Sequence, residues 1–318
     1  MPRSLACLVF SLLLGLAPAF ASEQEAETLI NEGDPRAATV VADLARTRPK
    51  DPGVRILQLR LLMLQRETKR AVAEAERLVK DAPDHAMAHL WLGMAYGSRI
   101  GEVGMFTQAS MAPKIRAAFE RAAELDPAMH QARLALVEYY LQAPGIVGGS
   151  EAKARAQVEA LARVDPAFGR YGQARLAMHE GNQAAAREHM LAAYAARPRE
   201  ASFRMGAGLA HQQAEAWDEA FAVFEAWTAD EPRSAAAWYQ LGRTAALSGR
   251  RLEQGIAAFQ RVLALYPQPG APAHQHAWYR KGQLHALAGD KAAARQAFER
   301  ALALEPGHAD AKAALKAL

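Results

Sequence analysis

Eight prolines, each closing a stretch of helix-forming sequence, constrain this chain more than any other feature. They stand in the pairs Arg48-Pro49, Ala82-Pro83, Asp126-Pro127, Asp165-Pro166, Arg197-Pro198, Glu231-Pro232, Tyr266-Pro267 and Glu305-Pro306. The intervals between them are 34, 44, 39, 32, 34, 35 and 39 residues, a base period of 34 with extra residues in three places. Proline lacks an N–H and clashes with the carbonyl four residues earlier, so it ends a helix. Regular spacing of such stops divides the 318-residue chain into short units, none of which can bury an apolar face without a neighbour. Composition points the same way. Alanine dominates the apolar set and aromatics make up only 7%, and alanine is the best helix former and is depleted in strands.

The last unit shows what the period means. Trp278, Gly282, Gly289, Ala294, Phe298, Ala301 and Pro306 fall at positions 4, 8, 15, 20, 24, 27 and 32 of a 34-residue frame. Other units carry the same marks: Leu92-Gly93 with Tyr96, Phe119, Ala122 and Pro127; Trp238, Leu241-Gly242 and Gly249 with Phe259 and Pro267; Trp217 to Ala220 with Phe224 and Pro232; and, more loosely, Leu136, Tyr140, Ala154 and Pro166. This pattern resembles the tetratricopeptide repeat, two antiparallel helices per 34 residues. The resemblance implies an all-α, right-handed α-solenoid of helix-turn-helix repeats. Units are expected to end near residues 49, 83, 127, 166, 198, 232, 267 and 306, with a closing helix over 308–318 and no domain boundary within 22–318. Asp34, Asp84, Ser150 and Asp290 are the expected N-caps.

The first residues are set apart from this array. Arg3 precedes an apolar run from Leu5 to Leu16, and Ala19-Phe20-Ala21 supplies small residues for cleavage, so 1–21 reads as a signal peptide cut after Ala21. The run is shorter than the roughly 20 residues that span a bilayer, so stable membrane insertion after cleavage is not expected. The single cysteine, Cys7, would leave with that segment. A periplasmic or secreted location in a bacterium is the expectation, drawn from the signal and the alanine- and arginine-rich composition. The formal charge of +4 arises from 38 basic and 34 acidic residues scattered along the chain, and nucleic-acid binding needs basic residues clustered on one face.

Two insertions depart from the plain repeat. One spans Gly97 to Pro113, with Met105, Phe106 and Met111; the next unit inserts Ala143 to Ser150, exposing Ile146 and Val147. Both are expected as loops on the same edge, and Pro267 to Ala273 as a spacer. The glycines of the second insertion lack the strand and the Lys-Ser or Lys-Thr pair of a phosphate loop. No His-Glu-x-x-His motif occurs among the ten histidines. His85 with His89, His274 with His276, and the methionines Met87, Met94, Met105 and Met111 read as packing residues before they read as ligands. No catalytic constellation stands out, so no enzyme activity, cofactor or metal is expected.

In the family that the chain resembles, positions 5 and 9 of each first helix face a concave groove. Position 5 here is Ile56, Leu90, Leu134, Tyr171, Met205, Tyr239 and Tyr279; position 9 is Arg60, Met94, Glu138, Arg175, Leu209, Arg243 and Gln283. Tyr171, Arg175, Tyr239, Arg243, Tyr279, Gln283, Arg60 and Glu138 are the candidate partner-binding residues, because tyrosine and arginine join contact area to directed hydrogen bonds. The expected partner is a protein or peptide segment bearing acidic groups, and the expected role an interaction scaffold of the cell envelope. The alternative is an accessory module for envelope polysaccharide export or secretion assembly. Replacing Arg175 and Arg243 by alanine is expected to weaken partner capture without lowering the melting temperature.

Overall fold

The computed structural model describes residues 22–318; the signal segment expected over 1–21 lies outside them. The described chain is all-α, with 17 α-helices and no strand. In pairs, these are α1 (Glu23–Asn31) with α2 (Arg36–Thr47), α3 (Pro52–Leu64) with α4 (Thr68–Asp81), and α5 (Ala86–Ile100) with α6 (Met105–Leu125). There follow α7 (His130–Gln142) with α8 (Glu151–Val164), α9 (Pro166–His179) with α10 (Gln183–Ala196), and α11 (Ala201–Gln213) with α12 (Trp217–Asp230). The last pairs are α13 (Ala235–Ser248) with α14 (Leu252–Ala264) and α15 (His274–Leu287) with α16 (Lys291–Leu304), followed by α17 (Ala309–Ala317).

Within a unit, the two helices meet where a first-helix glycine leaves room for a second-helix phenylalanine. A Cβ added to Gly93, Gly208, Gly242 or Gly282 would come within 2.1–2.8 Å of the ring of Phe119, Phe224, Phe259 or Phe298 respectively. These rings are at most 5% exposed, and burying each stabilises the fold by roughly 1.5–3 kcal/mol. Between units a different device recurs. The position-4 side chain donates to the carbonyl of the proline that closed the preceding unit: Arg133 Nε to Pro127 at 3.0 Å, Arg204 Nε to Pro198 at 2.6 Å and Trp238 Nε1 to Pro232 at 2.9 Å. His89 Nε2 meets the Pro83 carbonyl in the same way at 2.8 Å. Position 4 is therefore a donor position as well as a packing one.

First helices touch first helices across units, as α1 touches α3, α3 touches α5 and α13 touches α15, whereas successive second helices do not pack in this way. The first helices thus take the inner, shorter path and form the concave face. The coil continues until the α1–α2 turn reaches the seventh unit. Arg233, just before α13, pairs with Glu32 at 2.8 Å, and Gly33, at φ +66°, leaves no space for a Cβ beside the Pro267 carbonyl.

Several expectations change. The insertion over 97–113 is not a loop: α5 and α6 absorb it as added helical turns, leaving only residues 101–104 between them, and Pro113 sits on an exposed side inside α6. Pro166 does not close α8; it opens α9 at its first turn, where its missing N–H costs nothing, with Asp165 as the cap. His85, not Asp84, caps α5, and Asp84 pairs instead with Arg121 at 3.1 Å. The Pro267 to Ala273 segment does more than space two units, because Gln268 accepts from Ala235 N at 2.8 Å and donates to the Arg233 carbonyl at 2.6 Å, bracing the start of α13. Ser150 and Asp290 cap α8 and α16 as expected.

The fully buried Phe259 gives the sharpest check of this packing. Phe259→Ala is expected to lose about 3–5 kcal/mol in urea unfolding, and Gly242→Val to destabilise as well by driving a branched side chain into the same ring.

Candidate functional site

At three places along the position-9 row of the concave face, bonds join neighbouring first helices. Arg60 Nη2 donates to Asn31 Oδ1 at 2.7 Å and its guanidinium lies 5.3 Å from the centre of the Trp91 ring. Arg175 grips Glu138 of the preceding unit in a fork, Nη2 to Oε2 at 2.7 Å and Nε to Oε1. The hydrogen bonds to Glu138 raise the Arg175 pKa in spite of burial. Arg243 donates to Gln212 Oε1, and Gln212, almost wholly buried, donates in turn to Thr244 Oγ1 at 2.7 Å. Gln283 donates to the Tyr279 hydroxyl at 2.8 Å and accepts from Arg280 at 2.9 Å.

The position-5 row is less open than the sequence suggested. Ile56, Leu90 and Tyr239 are each at most 7% exposed. Tyr239 meets Phe259 edge to face at 5.5 Å, Tyr171 leans on Phe203 at 5.3 Å, and Tyr279 lies between Phe298 at 6.0 Å and His308 at 5.0 Å. Burial raises the phenol pKa values of Tyr171 and Tyr279. The two arginines also differ. Arg175 already holds a carboxylate from its own chain, whereas burial and the neighbouring Arg280 charge push the Arg243 pKa down with no carboxylate opposing them. Arg243 and Arg280 therefore form the spot on this row where an acidic group of a partner would gain most.

A second feature was not singled out from the sequence. Where the first insertion lengthens α6, a cavity of about 710 Å³ lies among α5, α6 and α7. Its walls include Met94, Met105, Ile115, Tyr139, Ile146 and Val147. Met94 and Glu138, both position-9 residues, stand on its edge, so the cavity opens on the concave face. The second insertion forms its far lip: a short 3-10 turn over Gly145–Val147 is pinned by the Tyr139 hydroxyl, which donates to the Val147 carbonyl at 2.6 Å. Ile146 is 96% exposed and Met105 77%. Such a cup offers a large apolar side chain a place away from water, and few polar groups line it. The sequence signal was present as two adjacent insertions, each carrying bulky apolar residues.

The tetratricopeptide repeat family model matches residues 56–97, 171–231, 205–268 and 244–309. No curated protein sequence matches the chain. Among solved structures, a chain of the APC/C hetero-tetramer Cut9–Hcn1 superimposes with a TM-score of 0.55 and 17% identity, over 93% of this chain and 54% of that one. This chain therefore spans about half the length of that relative. An IFIT1 monomeric mutant with Gppp-AAAA gives 0.57 and 15% over 92% and 70%. A thermophilic tetratricopeptide repeat protein of Thermus thermophilus gives 0.50 and 18% over 59% and 98%. At these identities the likeness concerns the fold.

The Arg175–Glu138 fork corrects the expectation that arginine removal leaves stability untouched. Both side chains are about a third exposed, so solvent screening holds their pairing to roughly 0.5–1 kcal/mol. Arg175→Ala is expected to lower the melting temperature slightly, and the double exchange Arg175→Glu with Glu138→Arg to restore most of the loss, as read by thermal unfolding.

Proposed function

Because the chain belongs to the tetratricopeptide repeat family, we propose that it is a non-enzymatic scaffold of the bacterial cell envelope that binds partner peptide segments on its concave face. Repeats of this family form protein–protein interaction scaffolds. The observation that carries the finer reading is the apolar cup between α5, α6 and α7, where the chain departs from a plain repeat and presents unshielded methionine and isoleucine beside the groove. A bound segment places a bulky aliphatic or aromatic side chain in the cup and an acidic group against Arg243 and Arg280.

The envelope location rests on the signal-like residues 1–21. No helix among the described residues is long and apolar enough to cross a membrane. The alternative, an accessory module for envelope polysaccharide export or secretion assembly, predicts co-purification with export components and tolerance of groove substitutions; the apolar cup beside the groove favours the peptide reading.

Selection from a displayed random-peptide library tests the proposal. Retained peptides are expected to share a bulky apolar residue, and Met105→Asp with Ile146→Asp to weaken their binding about tenfold, or ~1.4 kcal/mol, without moving the melting temperature. A library that yields no binders, or binders indifferent to the double variant, would overturn it.

A further inference from the structure

The end of the array assembles a group of side chains that the groove does not use. His276 lies in the first turn of α15, Glu305 directly follows α16, and His308 caps α17. One donor atom from each of the three lies within 4.8 Å of the others. His308 is only 7% exposed. Its Nδ1 accepts a long hydrogen bond from Ala311 N at 3.4 Å, and its Nε2 is buried with no partner. The His276 and His308 rings meet edge to face at 5.4 Å. A buried imidazole with an unpartnered ring nitrogen, grouped with a second imidazole and a carboxylate, is the arrangement that a metal ion satisfies.

We propose that His276, Glu305 and His308 form a binding site for a divalent cation of the zinc class, fastening α17 to the last repeat. Two imidazole nitrogens and one carboxylate oxygen suit zinc, and three protein ligands leave its fourth position to water. Calcium and magnesium, which take oxygen ligands almost exclusively, are disfavoured by the same set. Metal–ligand bonds of about 2.0–2.2 Å require the donor atoms to draw closer than they now stand. The exposed His276 supplies that movement by side-chain rotation, while burial holds His308 in place. Coordination through Nε2 moves the His308 proton to Nδ1 and gives up the long bond from Ala311 N; α17 keeps its backbone start through Lys312 N to the His308 carbonyl at 3.1 Å. The ion thereby joins three segments, α15, the end of α16 and the start of α17, and the last of these covers the apolar end of the stack through the fully buried Ala311.

Titration calorimetry of the full chain, first stripped with a chelator and then given Zn²⁺, tests the site. One equivalent is expected to bind in the micromolar range or tighter. His276→Ala and Glu305→Gln are each expected to weaken binding at least tenfold, while His179→Ala, at an exposed histidine elsewhere, leaves it unchanged. Amide exchange over 309–317 is expected to slow when zinc is added. The absence of binding at 100-fold excess over protein, or equal binding by the His276 and Glu305 variants, would refute the site.

Discussion

Everything in this structure depends on the close contact of a glycine on one helix with a phenylalanine ring on the next. Four units repeat it, at Gly93–Phe119, Gly208–Phe224, Gly242–Phe259 and Gly282–Phe298. The contact sets the separation of the two helices, and the separation fixes how far each pair turns relative to the one before. The donor at position 4, reaching the carbonyl of the preceding proline, holds that turn. Because the first helices take the inner path, a small rotation repeated along the chain brings Glu32 to Arg233, about 200 residues away in sequence.

The concave face follows from this geometry, and its character follows from where the geometry is interrupted. In three of the seven units a position-9 side chain spends its hydrogen bonds on the first helix of the unit before, as Arg60, Arg175 and Arg243 do. These bonds stabilise the curvature and leave little free for a partner. At α5 and α7 no such bond joins the inner helices, and apolar side chains of α5, α6 and α7 line a cavity. The insertion that departs from the regular repeat also contributes much of the apolar lining of this cavity, the proposed docking surface.

Much of this was legible in the sequence for a physical reason. Proline and glycine act through the backbone and large aromatics act through volume, so their spacing reports helix ends and close approaches directly; Pro306, Gly282 and Phe298 gave the last unit without reference to any other. The position-4 donors are not legible as such: His89 reads as a packing residue, because volume is visible in the sequence and the carbonyl six residues back that it reaches is not. What the residues could not report is how inserted sequence folds. Residues 97–113 contain glycines and a proline that favour a loop, yet the apolar Met111, Ala112 and Ile115 find a buried face and pull the segment into α6. The pairing of Arg175 with Glu138, 37 residues apart, is hidden for another reason: both stand at position 9 of consecutive units, and both read as facing the groove rather than each other. The meeting of His276 with Glu305 and His308 likewise depends on how α17 turns back onto the last repeat.

The central claim is that partners are held on the concave face at the cavity among α5, α6 and α7. Hydrogen–deuterium exchange of the chain, with and without a bound peptide, tests it most directly. The account predicts slowed exchange in α5, the first turns of α6, α7 and residues 143–147, with the outer helices α8, α10 and α12 unchanged. Protection confined to those outer helices, with none at α5 to α7, would contradict it.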